Sequence, residues 1–243
     1  MARRLARYSP ARVRLEPIAG DVVNDAVAVR LRDSDFMFLA ADSMQARLVF
    51  NALVHQYLIP GIQAGSKVPV DRATGDVGVV FSACRPVLPD SGCLWCNGLI
   101  TRDGLQEEAI ATAERRAWRY VEDEMIPAAS VITLNAVAAS EAANDFLFWL
   151  VGLRQGAARR GYTRHIPRTR SLRFEDPRAD PACTECGSSA ESRFGRGDGT
   201  ALPTRSPSNG SKAQRPRAPR SSTMIMTMLS ALSRIRIWLV GTT

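Results

Sequence analysis

Two Cys-x-x-Cys pairs, Cys93-Leu-Trp-Cys96 and Cys183-Thr-Glu-Cys186, stand 86 residues apart in a chain of 243. Each pair offers two thiols at the spacing a tetrahedral metal takes, and together they make the ligand set of a structural zinc site. The separation is far longer than that of a compact zinc ribbon. Closing it would pin a distant C-terminal segment back onto the body of the chain. A thioredoxin-like redox role is the alternative reading, but such a site needs only one pair. Four thiolates leave no open coordination position, so zinc here is expected to be structural. The remaining cysteine, Cys84, ends an apolar stretch and reads as an inert buried side chain.

Composition supplies the core that such a staple would hold. Hydrophobic residues make up 45% of the chain, which excludes a wholly disordered protein. With 17 glycines, 14 prolines and 5 cysteines, collagen-like and disulfide-dense classes are excluded too. Charge is unevenly spread: residues 1–150 carry 15 Lys/Arg against 18 Asp/Glu, whereas residues 151–243 carry 17 against 6. The net charge of +8 therefore belongs to the C-terminal part. The N-terminus has a basic start with no apolar run behind it, so no secretory signal is read and a reducing cytoplasm is expected. No membrane partner is expected, because the apolar stretch Ser130–Leu153 carries Glu141, Asn144 and Asp145. Nucleic acid is not an expected partner either, since the Arg-rich tail lacks interleaved aromatic residues.

The pattern of elements predicts an α/β fold. Arg12–Ile18 alternates like a strand, Asp21–Leu31 reads as a short Asp-capped helix, and Phe36–Ala40 as a strand buried on both faces. A helix then follows with Ala46, Val49, Phe50, Leu53 and Val54 on one side. Strands are expected at Tyr57–Ala64, Val77–Cys84 and Arg170–Phe174, and helices at Leu105–Val121 and Ser130–Leu153. The strand–helix–strand rhythm implies parallel pairs. His55 and His165 read as helix-surface and loop residues. From Ser206 the composition becomes that of a solvated basic linker. Met224, Met228, Leu232, Ile235 and Leu239 are spaced as one face of a C-terminal amphipathic helix. The domain reading is thus residues 1–205, followed by a tail at 206–243.

The second chemical signal is Asp42, just beyond the strand Phe36–Ala40. Open α/β sheets place ligands at this carboxyl edge, and a carboxylate there can hold Mg²⁺ beside a phosphate chain. Arg47 and Asn51 follow at +5 and +9 on the helix. Asp42 and Ser43 would equally serve as N-cap residues.

The run DSMQARLVFN after an apolar strand, then Pro60, Cys93 and Cys96, a long helix, and Cys183 and Cys186, resembles the ThiF/MoeB/HesA adenylyltransferases, the ubiquitin-activating type. The similarity covers about residues 10–205, including RFGRGDGTALPTR. The resemblance implies a Rossmann-like fold with a four-cysteine zinc site. It also implies adenylation by Mg-ATP of the C-terminal carboxylate of a ubiquitin-like or sulfur-carrier protein, releasing pyrophosphate. Asp42 would match the magnesium-binding aspartate, and Arg47 and Asn51 positions around the nucleotide. Arg47 joins Asp42 in the catalytic set.

One feature of that family has no counterpart here. The glycine-rich strand–turn–helix, G-x-G-x-x-G, whose amides cradle phosphates, does not occur. The chain therefore reads as an N-terminally truncated relative that pairs as a homodimer or with a full-length relative. Catalysis would need another chain to supply the missing half, which a dimer of this same chain does not, since neither copy carries the glycine loop. The alternative is a non-catalytic, zinc-stabilised module that docks a carrier protein or a full-length relative. A third reading is a gene fragment in which removal of half a sheet leaves an apolar edge unpaired.

Overall fold

The computed structural model describes residues 16–71, 73–117, 131–154, 156, 161–205 and 237–241. The chain builds one six-stranded mixed sheet with helices on both faces, the α/β class expected. In chain order the strands are β1 (Phe36–Ala40), β2 (Gly61–Lys67), β3 (Phe81–Val87), β4 (Tyr162–Ile166), β5 (Ser171–Glu175) and β6 (Ile237–Gly241). The helices are α1 (Asp25–Ala28), α2 (Met44–Tyr57), α3 (Arg102–Ala117) and α4 (Ile132–Leu150). The sheet order is β5-β4-β3-β2-β1-β6.

Parallel pairing is confined to β1, which pairs with β2 on one side and β6 on the other. The pairs β2–β3, β3–β4 and β4–β5 are antiparallel, so the expectation of parallel pairs holds only around β1. The reason is the connections. Helix α2 carries the chain from β1 to β2 as a crossover, which parallel strands require, whereas no helix intervenes between β2 and β3.

Several boundaries differ from the sequence reading. The helix α2 runs through Tyr57 and stops where Leu58 turns into the left-handed region at φ 60°, so the next strand begins at Gly61 rather than Tyr57. Helix α1 is capped by the Asn24 side chain, which accepts from the Ala26 N–H, and not by Asp21. Residues Glu16–Ile18 form no strand, and the rest of that predicted strand lies outside the described residues. Strand β4 was missed: Arg164 and His165, which point to opposite faces, interrupt its apolar pattern on both sides. The last described stretch is strand β6, with Leu239 opposite Phe38, where an amphipathic helix was expected. The other positions of that predicted helix lie outside the described residues. β6 also covers the second edge of β1, so the unpaired apolar edge expected of a truncated sheet is closed there.

Two cores flank the sheet. On one face Met37 and Leu39 pack with Val49, Phe50, Leu53 and Val54 of α2 and with Leu94 and Ile100 from the segment after β3. On the other, α4 lays Ala142 and Phe146 against Phe36, Ile62 and Cys84. Phe146 meets the Phe36 ring at 4.6 Å between centroids and the Phe38 ring at 5.5 Å. Asp145 is tolerated in this helix because Arg154 pairs with it at 2.5 Å and the Cys84 thiol donates to its Oδ2 at 3.4 Å. Burial, reinforced by the Asp145 charge, pushes the Cys84 thiol far up, as suits an unreactive thiol. Only one stripe of α4 is buried; Ile132, Leu147 and Val151 are exposed, against the expectation of a helix buried on most faces. No described helix is long and apolar enough to cross a membrane.

Helix α2 approaches β2 so closely that Gly61 has no room for a side chain. A Cβ there would lie 2.7 Å from Phe50 Cζ and 2.8 Å from the Met37 carbonyl oxygen. Gly61→Ala is expected to lower the unfolding free energy by about 1–3 kcal/mol through overpacking. Urea denaturation, read as a shift in midpoint at constant slope, measures it.

Candidate metal centre and nucleotide edge

The four predicted cysteines meet. Cys93, Cys96, Cys183 and Cys186 bring their sulfurs within 4.8 Å of one another. Individual separations are 3.6 Å for Cys93–Cys96, 3.7 Å for Cys93–Cys183 and 3.6 Å for Cys96–Cys186. Zinc–thiolate bonds of about 2.3 Å in a tetrahedron place the sulfurs about 3.8 Å apart. The cluster therefore has the dimensions of a four-thiolate metal site, and these residues could hold such an ion. The backbone prepares it: the Cys96 N–H points at Cys93 Sγ and the Glu185 N–H at Cys183 Sγ, each at 3.4 Å. Hydrogen bonding from Cys93 draws the Cys186 thiol down to about 6, while the same bond and burial drive Cys93 up.

Glycine makes the close approach of the two knuckles possible. A Cβ on Gly92 would fall 1.7 Å from the Arg178 carbonyl oxygen; within the second knuckle's own turn, one on Gly187 would fall 2.4 Å from that of Pro181. Asn97 then clamps the junction. Its Nδ2 donates to the Cys93 and Arg178 carbonyls at 2.9 and 3.0 Å, and its Oδ1 accepts from the Arg178 N–H at 2.8 Å.

Asn51, read as a nucleotide-side residue, lies at this centre. It is fully buried; its Oδ1 accepts from the Leu94 N–H at 2.9 Å and its Nδ2 donates to Glu185 Oε2 at 3.3 Å. One amide thus bridges α2 to the first knuckle and to the second. Farther along α2, Gln56 Nε2 donates to the carbonyls of Gly197 and Thr200, both at 2.6 Å. Arg193 joins Gln56 Oε1 at 2.7 Å and Glu185 Oε1 at 3.3 Å. At the start of the helix, Gln45 Nε2 donates to the Pro203 carbonyl at 2.6 Å. Residues 183–205 therefore strap the length of α2. The Arg-Gly-Asp sequence in the strap is structural, with Asp198 held by Arg32 and by the Tyr57 hydroxyl.

The sequence reading missed Gln56, Arg193 and Asn97. The available signal was Asn51, His55 and Gln56 at polar positions on an otherwise apolar helix, which marks a buried polar contact rather than solvent. His55 is likewise fully buried and not a surface residue. Neither ring nitrogen has a well-formed hydrogen bond. Burial lowers its pKa to about 4, with the nearby Pro89 carbonyl opposing.

At the opposite end of α2, Asp42 follows the carboxyl end of β1 and is exposed. The cap is Ser43, whose side chain accepts from the Ala46 N–H at 3.0 Å. Asp42 is thereby free of capping duty. Arg47 stands one turn on, donating to the Leu99 carbonyl at 3.3 Å. Burial lowers its pKa while the Asp42 and Glu108 carboxylates act against that. The structure thus brings Arg47 to Asp42 and places the side chain of Asn51 at the cysteines instead.

No family model matches this chain. No curated protein matches it either. Among solved structures, its fold is similar to that of E. coli MccB in three crystal forms. With succinimide the TM-score is 0.50 at 16% identity, covering 70% of this chain and 44% of that one. With AMPCPP and selenomethionine MccA the values are 0.50, 16%, 70% and 45%. With MccA-N7isoASN they are 0.50, 15%, 70% and 46%. The chain spans less than half the length of these structures.

Two outcomes test the site's construction. Asn51→Leu keeps the volume but strands the Leu94 N–H and removes the Asn51 bond to Glu185 Oε2, and is expected to cost about 1–3 kcal/mol in chemical denaturation. His55 binds fewer protons folded than unfolded between about pH 4 and 6.5. Its contribution is therefore complete above pH 6.5 and is lost as pH falls toward 4. The wild type should lose about 1.5 kcal/mol more than His55→Leu between pH 6.5 and 5, read from denaturation midpoints.

Proposed function

We propose that this chain is an adenylyltransferase-like protein of the ThiF/MoeB/HesA type, whose metal-stapled half carries the magnesium edge of a nucleotide site. The observation that carries this reading is Asp42, an exposed carboxylate at the carboxyl end of a parallel strand, released from capping by Ser43 and set beside Arg47. Ligands of open α/β sheets lie at that edge. The MccB fold, seen in one of its structures with AMPCPP and MccA, is in keeping with it. The order of Asp42, Arg47 and the two cysteine pairs supports it as well.

In this reading Asp42 holds Mg²⁺, which neutralises phosphate charge when bound. Arg47 orients the Asp42 carboxylate and adds positive charge toward the phosphates. The substrate is the C-terminal carboxylate of a peptide or of a ubiquitin-like or sulfur-carrier protein. One carboxylate oxygen attacks the α-phosphorus of ATP, the bond to the bridging oxygen breaks, and pyrophosphate leaves. Zinc in the four-cysteine site is structural, since four thiolates admit no substrate. Asn51 acts through the knuckles, not on the nucleotide. This sequence shows no glycine-rich phosphate loop, and a second copy of it would bring none, so in this reading the phosphate contacts come from elsewhere, such as a full-length relative.

A docking module without catalysis is the second reading, and the exposed apolar side of α4, with Ile132, Leu147 and Val151, favours it. Mg-ATP binding separates the two. Binding that is weakened roughly tenfold or more in Asp42→Ala supports the nucleotide edge. Folded, metal-loaded protein that binds no Mg-ATP contradicts it and leaves the docking module.

A further inference from the structure

The sheet face packed by α2 over β1 and β2 continues across β3 and β4 with polar side chains. Arg85 on β3 stands in register with Gln63 on β2, and its Nη1 donates to Gln63 Oε1 at 2.7 Å. Arg164 on β4 stands opposite Ala83, two residues from Arg85 on the same face. Tyr162 shares that face, since side chains two apart along a strand point the same way. Arg85 is 9% exposed and Tyr162 4%.

These groups are short of acceptors. Among the described residues, the Tyr162 hydroxyl, Arg164 Nε and Arg47 Nε are buried without a hydrogen-bond partner. Arg85 Nη1 donates to a neutral amide. Glu175, a carboxylate acting on Arg85, is itself paired with Arg164 Nη2 at 3.2 Å. Burial, and then the Arg164 charge, lower Arg85 to about 10, and Arg47 adds to that repulsion. A buried donor without an acceptor destabilises the fold, and an uncompensated buried cation does so more. A planar or tetrahedral oxyanion would satisfy both deficits, because guanidinium groups present paired donors to carboxylate and phosphate alike. Access is from the Arg164 side, where that side chain is 32% exposed and its guanidinium lies 4.7 Å from the Phe81 ring centroid.

We propose that Arg85, Arg164 and Tyr162 form an oxyanion-binding site for a terminal carboxylate or a phosphoryl group. Its assignment as a substrate subsite rests on the adenylation reading: it lies within electrostatic reach of Arg47 on one side and of Cys93, Cys96 and Cys186 on the other. A carboxylate held here is presented from the sheet face toward the Asp42 edge.

Calorimetric titration of the full chain with a short N-acetylated peptide bearing a free C-terminal carboxylate, with the same peptide as its amide, and with inorganic pyrophosphate tests the proposal. Binding of the free acid but not the amide identifies a carboxylate subsite; binding of pyrophosphate alone identifies a phosphate subsite. Either supports the site, provided that Arg164→Gln weakens it roughly tenfold or more. Arg164 is the informative variant because it is partly exposed and its loss is compatible with folding; Tyr162→Phe, which removes one hydroxyl, is the second. Failure of both probes to bind folded wild type, or binding unchanged in both variants, overturns the proposal and assigns these donors to the thiolate centre alone. Asp42→Ala should leave oxyanion binding intact. Oxyanion binding in a protein that binds no Mg-ATP would sink the adenylation reading and not the site.

Discussion

The closing of four thiols around one point is the constraint from which the rest of this structure follows. Cys93 and Cys96 sit just after β3, and Cys183 and Cys186 after β5, so their meeting fixes where the last part of the body must lie. Gly92 permits the contact because a side chain there would strike the Arg178 carbonyl, while Gly187 lets the second knuckle turn tightly on itself. From that anchor residues 183–205 run back along α2, exchanging backbone and side-chain hydrogen bonds with Gln45, Asn51, His55, Gln56 and Tyr57. Helix α2 is thereby buried on two sides, by β1 and β2 beneath and by the strap above. Its first turn, with Ser43, Arg47 and the preceding Asp42, is held at the carboxyl edge of the sheet.

Polar residues inside this arrangement divide by what they satisfy. Asn51 and Gln56 spend every side-chain bond on backbone or on the Glu185–Arg193 pair, which makes them elements of construction. Asp145 is compensated by Arg154 and Cys84. Arg85, Arg164 and Tyr162 differ, because they gather donors and positive charge with too few acceptors. A gathering of donors and positive charge is what a site for an anionic ligand requires.

Much of this was legible in the sequence. The cysteine pairs announced their own meeting, and Phe36–Ala40 was recognisable as a buried strand because no polar residue interrupts it. The long-range consequences were not legible. Nothing local distinguishes Asn51 as a bridge between knuckles from Asn51 as a ligand, since both roles need a polar side chain at the same helical position. Strand β4 was hidden because Arg164 and His165, on opposite faces, break the apolar alternation, and only the Arg164 face belongs to the candidate anion surface. The tail stretch Ile237–Gly241 has apolar residues compatible with either period, and its pairing with β1 decides for a strand. Such pairing is tertiary information that a local pattern does not carry.

The most direct test of the central constraint is titration of the reduced full chain with Co²⁺, a spectroscopic substitute for zinc. A four-thiolate metal site predicts one ion per chain, the absorption of a tetrahedral four-thiolate complex, and displacement by one equivalent of Zn²⁺. Each of Cys93→Ser and Cys186→Ser should abolish that spectrum. A folded chain that binds no stoichiometric metal, or one whose four thiols are recovered as disulfides from a reducing preparation, would contradict the staple and with it the placement of the strap over α2.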